Sequence, residues 1–126
     1  MRKNKSKRVC TPIVDDLKNM SEEIHFMKQN IDKNSYLFYD FIKNQWDFSL
    51  ENKELRHLSP GLLIGISDTY FLCRCAQTYY KAITENQANQ VTHIKNEFYQ
   101  YASRALRART RILRIFDKIK EKNNGV

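Results

Sequence analysis

The sequence predicts an all-α protein, an elongated antiparallel bundle of three or four helices that follows a disordered basic arm. The 126 residues include only 3 glycines and 2 prolines, too few turn formers for a β-rich chain. Apolar residues also recur three and four positions apart along most of the chain, which is the period of a helix seam. A chain of this length forms one domain, so we expect a flexible arm over 1–10 and a single helical domain over 11–126.

Thr11-Pro12 predicts the start of the first helix, because a hydroxyl caps the end and proline is tolerated in the first turn. The apolar residues that follow form one narrow stripe: Ile13, Leu17, Met20, Ile24, Met27 and Ile31. The polar segment 32–35 leaves two alternatives open: a break before a second, aromatic-rich helix that ends near residue 50, or a polar interruption within one long helix. A break or kink is favoured. Segment 51–58 is polar and predicts a connection.

Ser59-Pro60 predicts the next helix start for the same capping reasons, and the helix then runs over about 60–84. It is apolar around most of its circumference, so we expect other helices to enclose it. Gly61 and Gly65 would allow a neighbouring helix to approach closely. The same helix carries Cys73 and Cys75, and burial there would raise the pKa of a thiol and lower its reactivity.

The last helix is predicted over about 89–122, because apolar residues repeat at three and four without a miss. These residues are Val91, Ile94, Phe98, Tyr101, Ala105, Ala108, Ile112, Ile115 and Ile119. At 1.5 Å per residue the helix is roughly 50 Å long. Helices this long in a short chain leave seams exposed, which favours homo-oligomerisation.

The net charge of +8 is concentrated in two blocks. The first is the arm, whose basic residues are Arg2, Lys3, Lys5, Lys7 and Arg8. The second is segment 104–122, where eight basic residues stand against two acidic ones, a local charge of +6. The rest of the chain is slightly acidic. Positive charge in blocks indicates an anionic partner or a solvated face.

Five cations of the last helix form a row at spacings of three and four: Arg104, Arg107, Arg111, Arg114 and Lys118. They fall within an arc of about 80° over roughly 20 Å, on the flank of the apolar seam. Guanidinium groups bind phosphates with paired hydrogen bonds, and the arm would add a second contact. The sequence therefore predicts a non-enzymatic nucleic-acid-binding accessory protein that contacts the backbone of DNA or RNA.

Two other interpretations stay open. The basic row could dock an acidic protein, as in a helical adaptor, an inhibitor or a subunit of a nucleoprotein complex. It could also be a solvated face that carboxylates on neighbouring helices neutralise. The candidate carboxylates are Asp15, Asp16, Glu22, Glu23, Glu51 and Glu54.

Arg109 stands apart from the row, because it projects into the apolar arc of the last helix. A buried arginine needs a partner, since an unpaired buried charge is costly. Asp68 is the one acid on the central helix, and we expect a structural ion pair between the two.

No catalytic, metal or cofactor site is predicted. The histidines are isolated, and the Cys73-x-Cys75 pair has no second pair at ligand spacing. The longest apolar run is too short to span a bilayer. An odd number of cysteines favours a reduced, cytoplasmic setting. Tyr79 and Tyr99 could stack on unpaired bases, but aromatic residues at helical spacing are more often core.

Overall fold

The computed structural model describes residues 2–33, 58–85 and 91–124, with side chains over 12–33, 58–85 and 92–122. These residues form three helices: α1 (Arg2–Asp32), α2 (Pro60–Glu85) and α3 (Val91–Asn124). No strand occurs in these ranges, and none of the three helices is long and apolar enough to cross a membrane. The all-α prediction is therefore confirmed for this part of the chain. The break near residue 34 and the helix predicted to follow it lie outside the described residues.

The start of α1 differs from the prediction. The sequence predicts a flexible arm over 1–10, whereas the backbone is helical from Arg2 and Pro12 lies inside the helix. Lysine and arginine are good helix formers, so a basic segment with little to bury can still continue a helix. Proline at position 12 removes one hydrogen bond, the one to the carbonyl of Arg8.

The predicted apolar stripe of α1 is the face that packs into the core. Each of its six residues is at most 8% exposed: Ile13, Leu17, Met20, Ile24, Met27 and Ile31. Complete burial of such a side chain contributes about 1.5–3 kcal/mol, so this seam is the main reason that α1 docks on the other two helices.

Ser59 caps α2 as predicted. Its hydroxyl accepts a hydrogen bond from the backbone N–H of Leu62 at 3.3 Å, and its carbonyl accepts one from Leu63 at 3.0 Å. Two apolar side chains of α2 are not enclosed within this chain, because Ile64 is 67% exposed and Phe71 is 57% exposed. Both side chains lie on the face of α2 that turns away from α1.

The contacts between α1 and α2 show that the two helices run in the same direction. The Tyr70 hydroxyl donates to Asp16 Oδ2 at 2.8 Å, and Asn30 Nδ2 donates to the Tyr80 hydroxyl at 3.1 Å. Later residues of α1 thus meet later residues of α2. The prediction of antiparallel packing does not hold for this pair.

α2 and α3 run antiparallel and approach closely. A Cβ atom on Gly65 would lie 2.8 Å from Ile112 Cδ1, whereas the same atom on Gly61 would meet nothing within 4 Å. Near the other end of α2, Tyr79 stacks on Tyr101. Only Gly65 therefore serves the close approach that both glycines suggested.

The buried stripe of α3 is rotated by roughly 40° from the predicted seam. Ile115 of that seam is 37% exposed, while Phe116 is only 5% exposed. The buried members are Phe98, Ala102, Ala105, Ile112 and Phe116. Because α3 packs on α1 as well as on α2, the centre of its buried arc lies between the two contacts rather than on one seam.

Candidate nucleic-acid interface

The predicted cations lie on an unbroken helix. α3 spans 34 residues without a glycine or a proline, so the turns around Arg104 and Lys118 keep a fixed helical phase. All five side chains of the basic row are exposed: Arg104, Arg107, Arg111, Arg114 and Lys118. Lys122 is also exposed and extends the row by one turn.

The rotation of the buried stripe changes the position of this basic row. Measured around the helix axis, its centre lies about 160° from the centre of the buried residues, rather than on the flank of the packed face. The row therefore faces away from both α1 and α2. A flat or convex polyanion can approach it without meeting another described helix.

Carboxylates of α1 do not neutralise the row. Asp16 accepts the hydroxyl of Tyr70, and Glu23 Oε1 accepts a hydrogen bond from Gln77 Nε2 at 2.9 Å, so both face α2. Within the described ranges, no carboxylate oxygen lies within 4.0 Å of the cationic groups of residues 107, 111, 114 and 118. Asp15 and Glu22, also on α1, are exposed, whereas Glu51 and Glu54 lie outside those ranges.

Arg104, the first member of the row, has a different environment. Its guanidinium carbon lies 5.5 Å from the centre of the Tyr101 ring, a cation–π contact. Tyr101 also stacks on Tyr79 of α2, with 5.4 Å between the ring centres and 16° between the planes. Arg104 is thereby held at the edge of the row that faces α2.

A cleft between α2 and α3 adjoins Arg104. Its volume is about 310 Å³, at the small end of ligand sites, and it opens to solvent. Its lining residues include three aromatic rings and no acid: Phe71, Arg74, Cys75, Thr78, Tyr79 and Tyr101. The basic row and this aromatic cleft meet at Arg104.

The two cysteines of α2 have different surroundings. Cys73 is buried, and this burial, with the charge of Glu23, raises the pKa of its thiol. Burial also raises the pKa of Cys75, but the charges of Arg74 and Arg104 oppose that rise. Both guanidinium groups therefore lie near the Cys75 thiol. A raised pKa does not favour thiolate chemistry, so neither cysteine is an activated nucleophile.

The orientation of α1 relative to α3 brings the two basic blocks to one end of the bundle. Arg109 Nε donates to the carbonyl of Leu17, and the Tyr99 hydroxyl donates to Asp32, so the two helices run antiparallel. The first turns of α1 thus lie at the end where α3 finishes. The backbone at that end includes the basic residues of the predicted arm: Arg2, Lys3, Lys5, Lys7 and Arg8. The structure does not describe their side chains.

The predicted ion pair between Arg109 and Asp68 is wrong. Asp68 lies on the exposed side of α2, and no ion pair joins these two described side chains. Arg109 is half-buried in line with the buried residues of α3 and turns towards α1, where the carbonyl of Leu17 is its acceptor. Desolvation lowers the pKa of the guanidinium.

The sequence did not identify Phe71 or Arg74 as site residues. Tyr99, which it suggested for base stacking, is half-buried and engaged with α1 through Asp32. The cleft depends on the register between α2 and α3, which places Tyr79 opposite Tyr101, and a one-dimensional pattern does not contain that register. The only sequence signal for the cleft was Phe71, an aromatic residue on a polar face of α2.

Among the described residues, no group of three histidine, cysteine, aspartate or glutamate side chains could hold a metal ion. No protein-family model matches this chain, and comparisons with curated proteins and with solved structures find no match.

Proposed function

We propose that this protein is a non-enzymatic accessory protein that binds the phosphate backbone of nucleic acid through the basic row of α3. The observation that carries the proposal is the exposure of five cations on one face of an unbroken helix. Asp117 and Glu121 belong to the same helix, but no described carboxylate oxygen lies within 4.0 Å of the cationic groups of residues 107, 111, 114 and 118. The row extends over roughly 20 Å, which matches about six phosphates of one strand.

The distribution of charge supports a polyanionic ligand. The first turns of α1, rich in lysine and arginine, lie at the same end of the bundle as the lysines that end α3. Neutralising several phosphates releases condensed counterions, which favours binding at low salt and makes it independent of base sequence. Free Cys73 and Cys75 fit a cytoplasmic location, where thiols stay reduced.

Charge reversal tests this proposal. In the triple variant Arg107→Glu, Arg111→Glu and Arg114→Glu, we expect affinity for a labelled 20-base-pair duplex and for a 20-mer single strand to fall at least about tenfold. The matched control is Lys18→Glu, Lys28→Glu and Lys33→Glu on α1. Both variants lower the net charge of +8 by the same amount, so a difference between them isolates position from total charge.

Salt dependence gives the second readout. Five duplex phosphate contacts predict a slope of about −4.5 for log K against log salt concentration, and loss of three contacts predicts about −2. Fluorescence anisotropy measures the slope. The salt concentration is varied between roughly 25 and 200 mM, a range that includes physiological ionic strength. Absence of binding to any probe at the lowest salt, or equal binding by both triple variants, overturns the proposal.

One observation favours a second candidate, a helical adaptor for an acidic protein. Ile64 and Ile115 are 67% and 37% exposed. They lie at the same level of the α2–α3 pair, because Gly65 opposes Ile112. Exposed apolar residues beside basic ones are common at protein interfaces and are not needed for phosphate contacts. A purified acidic partner that binds after nuclease treatment, and is lost with Ile64→Ser, would support the adaptor instead.

A further inference from the structure

We propose that the aromatic cleft between α2 and α3 takes an unpaired base, so that the preferred ligand is single-stranded nucleic acid. This inference rests on the proposed function and specifies the class of its ligand. The basic row alone would accept single and double strands alike. The cleft adds a site that only an unpaired base can enter, because the bases of a duplex are stacked inside it.

Phe71 supplies the stacking surface. More than half of its side chain, 57%, is exposed, although it belongs to the most apolar helix of the chain. The exposed part of this ring contributes no apolar burial to the free protein. Every nucleobase has an aromatic face, so an exposed ring accepts bases without regard to sequence.

The opposite wall of the cleft is a rigid aromatic pair. Tyr79 and Tyr101 stack on each other across α2 and α3, and Arg104 lies against the ring of Tyr101. These contacts fix the wall before a ligand arrives. A preformed wall lowers the entropy that a base loses when it enters, which increases affinity.

The charges around the cleft suit a nucleotide rather than an apolar ligand. Arg74 lines the cleft, and Arg104 lies close enough to influence the same Cys75 thiol, so two cations border it. Arg104 also begins the basic row. A strand whose phosphates follow the row from Lys118 would therefore reach the cleft at its end. Glu97 lies near Tyr79, so we expect phosphates on the arginine side and not on that side.

The test compares three probes of equal length: an oligothymidine 20-mer, the same strand with an abasic residue at every position, and a duplex. For the unmodified protein we expect the base-containing single strand to bind roughly 5- to 150-fold more tightly than the abasic strand. The duplex should bind no more tightly than the abasic strand. Equilibrium titration at one salt concentration gives the three constants.

A matched pair of variants locates the effect. Phe71→Ala should remove most of the preference for the base-containing strand and leave affinity for the abasic strand unchanged. Phe26→Ala is the control, because Phe26 is another exposed phenylalanine, on α1, that does not line the cleft. It should keep the preference. Melting followed by circular dichroism establishes that both variants fold.

The outcomes separate this inference from the proposed function. If no probe binds, the proposed function itself fails. If all probes bind equally, or Phe71→Ala and Phe26→Ala behave alike, backbone binding stands and the base site is overturned. If sedimentation shows a dimer that only Phe71→Ala dissociates, the cleft is an interface between two copies of the chain, and the base site is again overturned.

Discussion

The Nε atom of Arg109 donates a hydrogen bond to the main-chain carbonyl of Leu17, across the contact between α3 and α1. This cation is half-buried and lies in line with the buried residues of α3, yet its acceptor is a neutral carbonyl and not a carboxylate. Desolvation lowers the pKa of its guanidinium, so the folded protein gives up hydration of a charge there. The carbonyl of Leu17 already accepts a hydrogen bond within α1. The hydrogen bond from Arg109 therefore offsets only part of the free energy that desolvation of the guanidinium costs.

We therefore expect Arg109→Met to leave stability unchanged or to raise it by about 1 kcal/mol, because the methionine fills a similar volume without a charge. Arg109→Ala should be less stable than Arg109→Met, since the packing of the long side chain is lost. Urea denaturation measures both. A loss above about 2 kcal/mol for Arg109→Met would mean that the guanidinium has a stronger partner than Leu17.

The sequence predicted much of the local structure and little of the relationship between helices. The stripe of α1, the cap at Ser59 and the unbroken last helix all follow from neighbours within one helix. The partner of Arg109 and the burial of Phe116 instead of Ile115 depend on which helix lies on each side of α3. A spacing of three and four fixes a face only to within about one residue, or 100°. The sequence did predict the exposed basic row, because the exposure of these side chains does not depend on which helix packs against α3.

Gly65 and Ile112 should be energetically coupled. A Cβ atom at position 65 would lie 2.8 Å from Ile112 Cδ1, and Ile112→Val removes that methyl group. Gly65→Ala gains helix propensity but crowds the isoleucine, and Ile112→Val alone costs about 0.5–1.5 kcal/mol. We expect the double variant to be more stable than the sum of the single changes predicts, by about 1 kcal/mol.

A double-mutant cycle in urea measures this coupling. Gly61→Ala with Ile112→Val is the matched control, because a Cβ atom at position 61 meets nothing within 4 Å. That pair should be additive within about 0.5 kcal/mol. Equal coupling in both cycles would contradict the close approach of α2 and α3 at Gly65.

The hydrogen bond from Tyr70 to Asp16 should make stability fall at high pH. Burial first, then the hydrogen bond and the charge of Asp16, raise the pKa of Tyr70 above its ordinary value of 10.0. The folded state thus favours the protonated phenol. Its contribution is complete below about pH 10 and is lost as the pH rises further, by up to about 1.4 kcal/mol per pH unit.

Tyr70→Phe removes this titration. At pH 7 we expect the variant to be about 1 kcal/mol less stable, because Asp16 loses a donor but is half-exposed and can bind water. Above pH 10 the difference between the two proteins should shrink as the wild-type tyrosine loses its advantage. Urea denaturation at pH 7, 9 and above measures this difference, and a difference that stays constant would mean that folding does not raise the pKa of Tyr70.

The rate of alkylation at Cys75 reports on the charges that border the cleft. Arg104 lowers the pKa of this thiol against the effect of burial, so Arg104→Gln should raise the pKa and slow the reaction with iodoacetamide, by about two- to threefold at neutral pH. Arg107→Gln is the control, because Arg107 lies on the outward face of the same helix and should leave the rate unchanged.

Peptide mass mapping separates Cys75 from Cys73, whose burial should confine its reaction to the unfolded state. Equal rates in both variants would place the Arg104 guanidinium away from the cleft and would break the link between the basic row and the stacking surface.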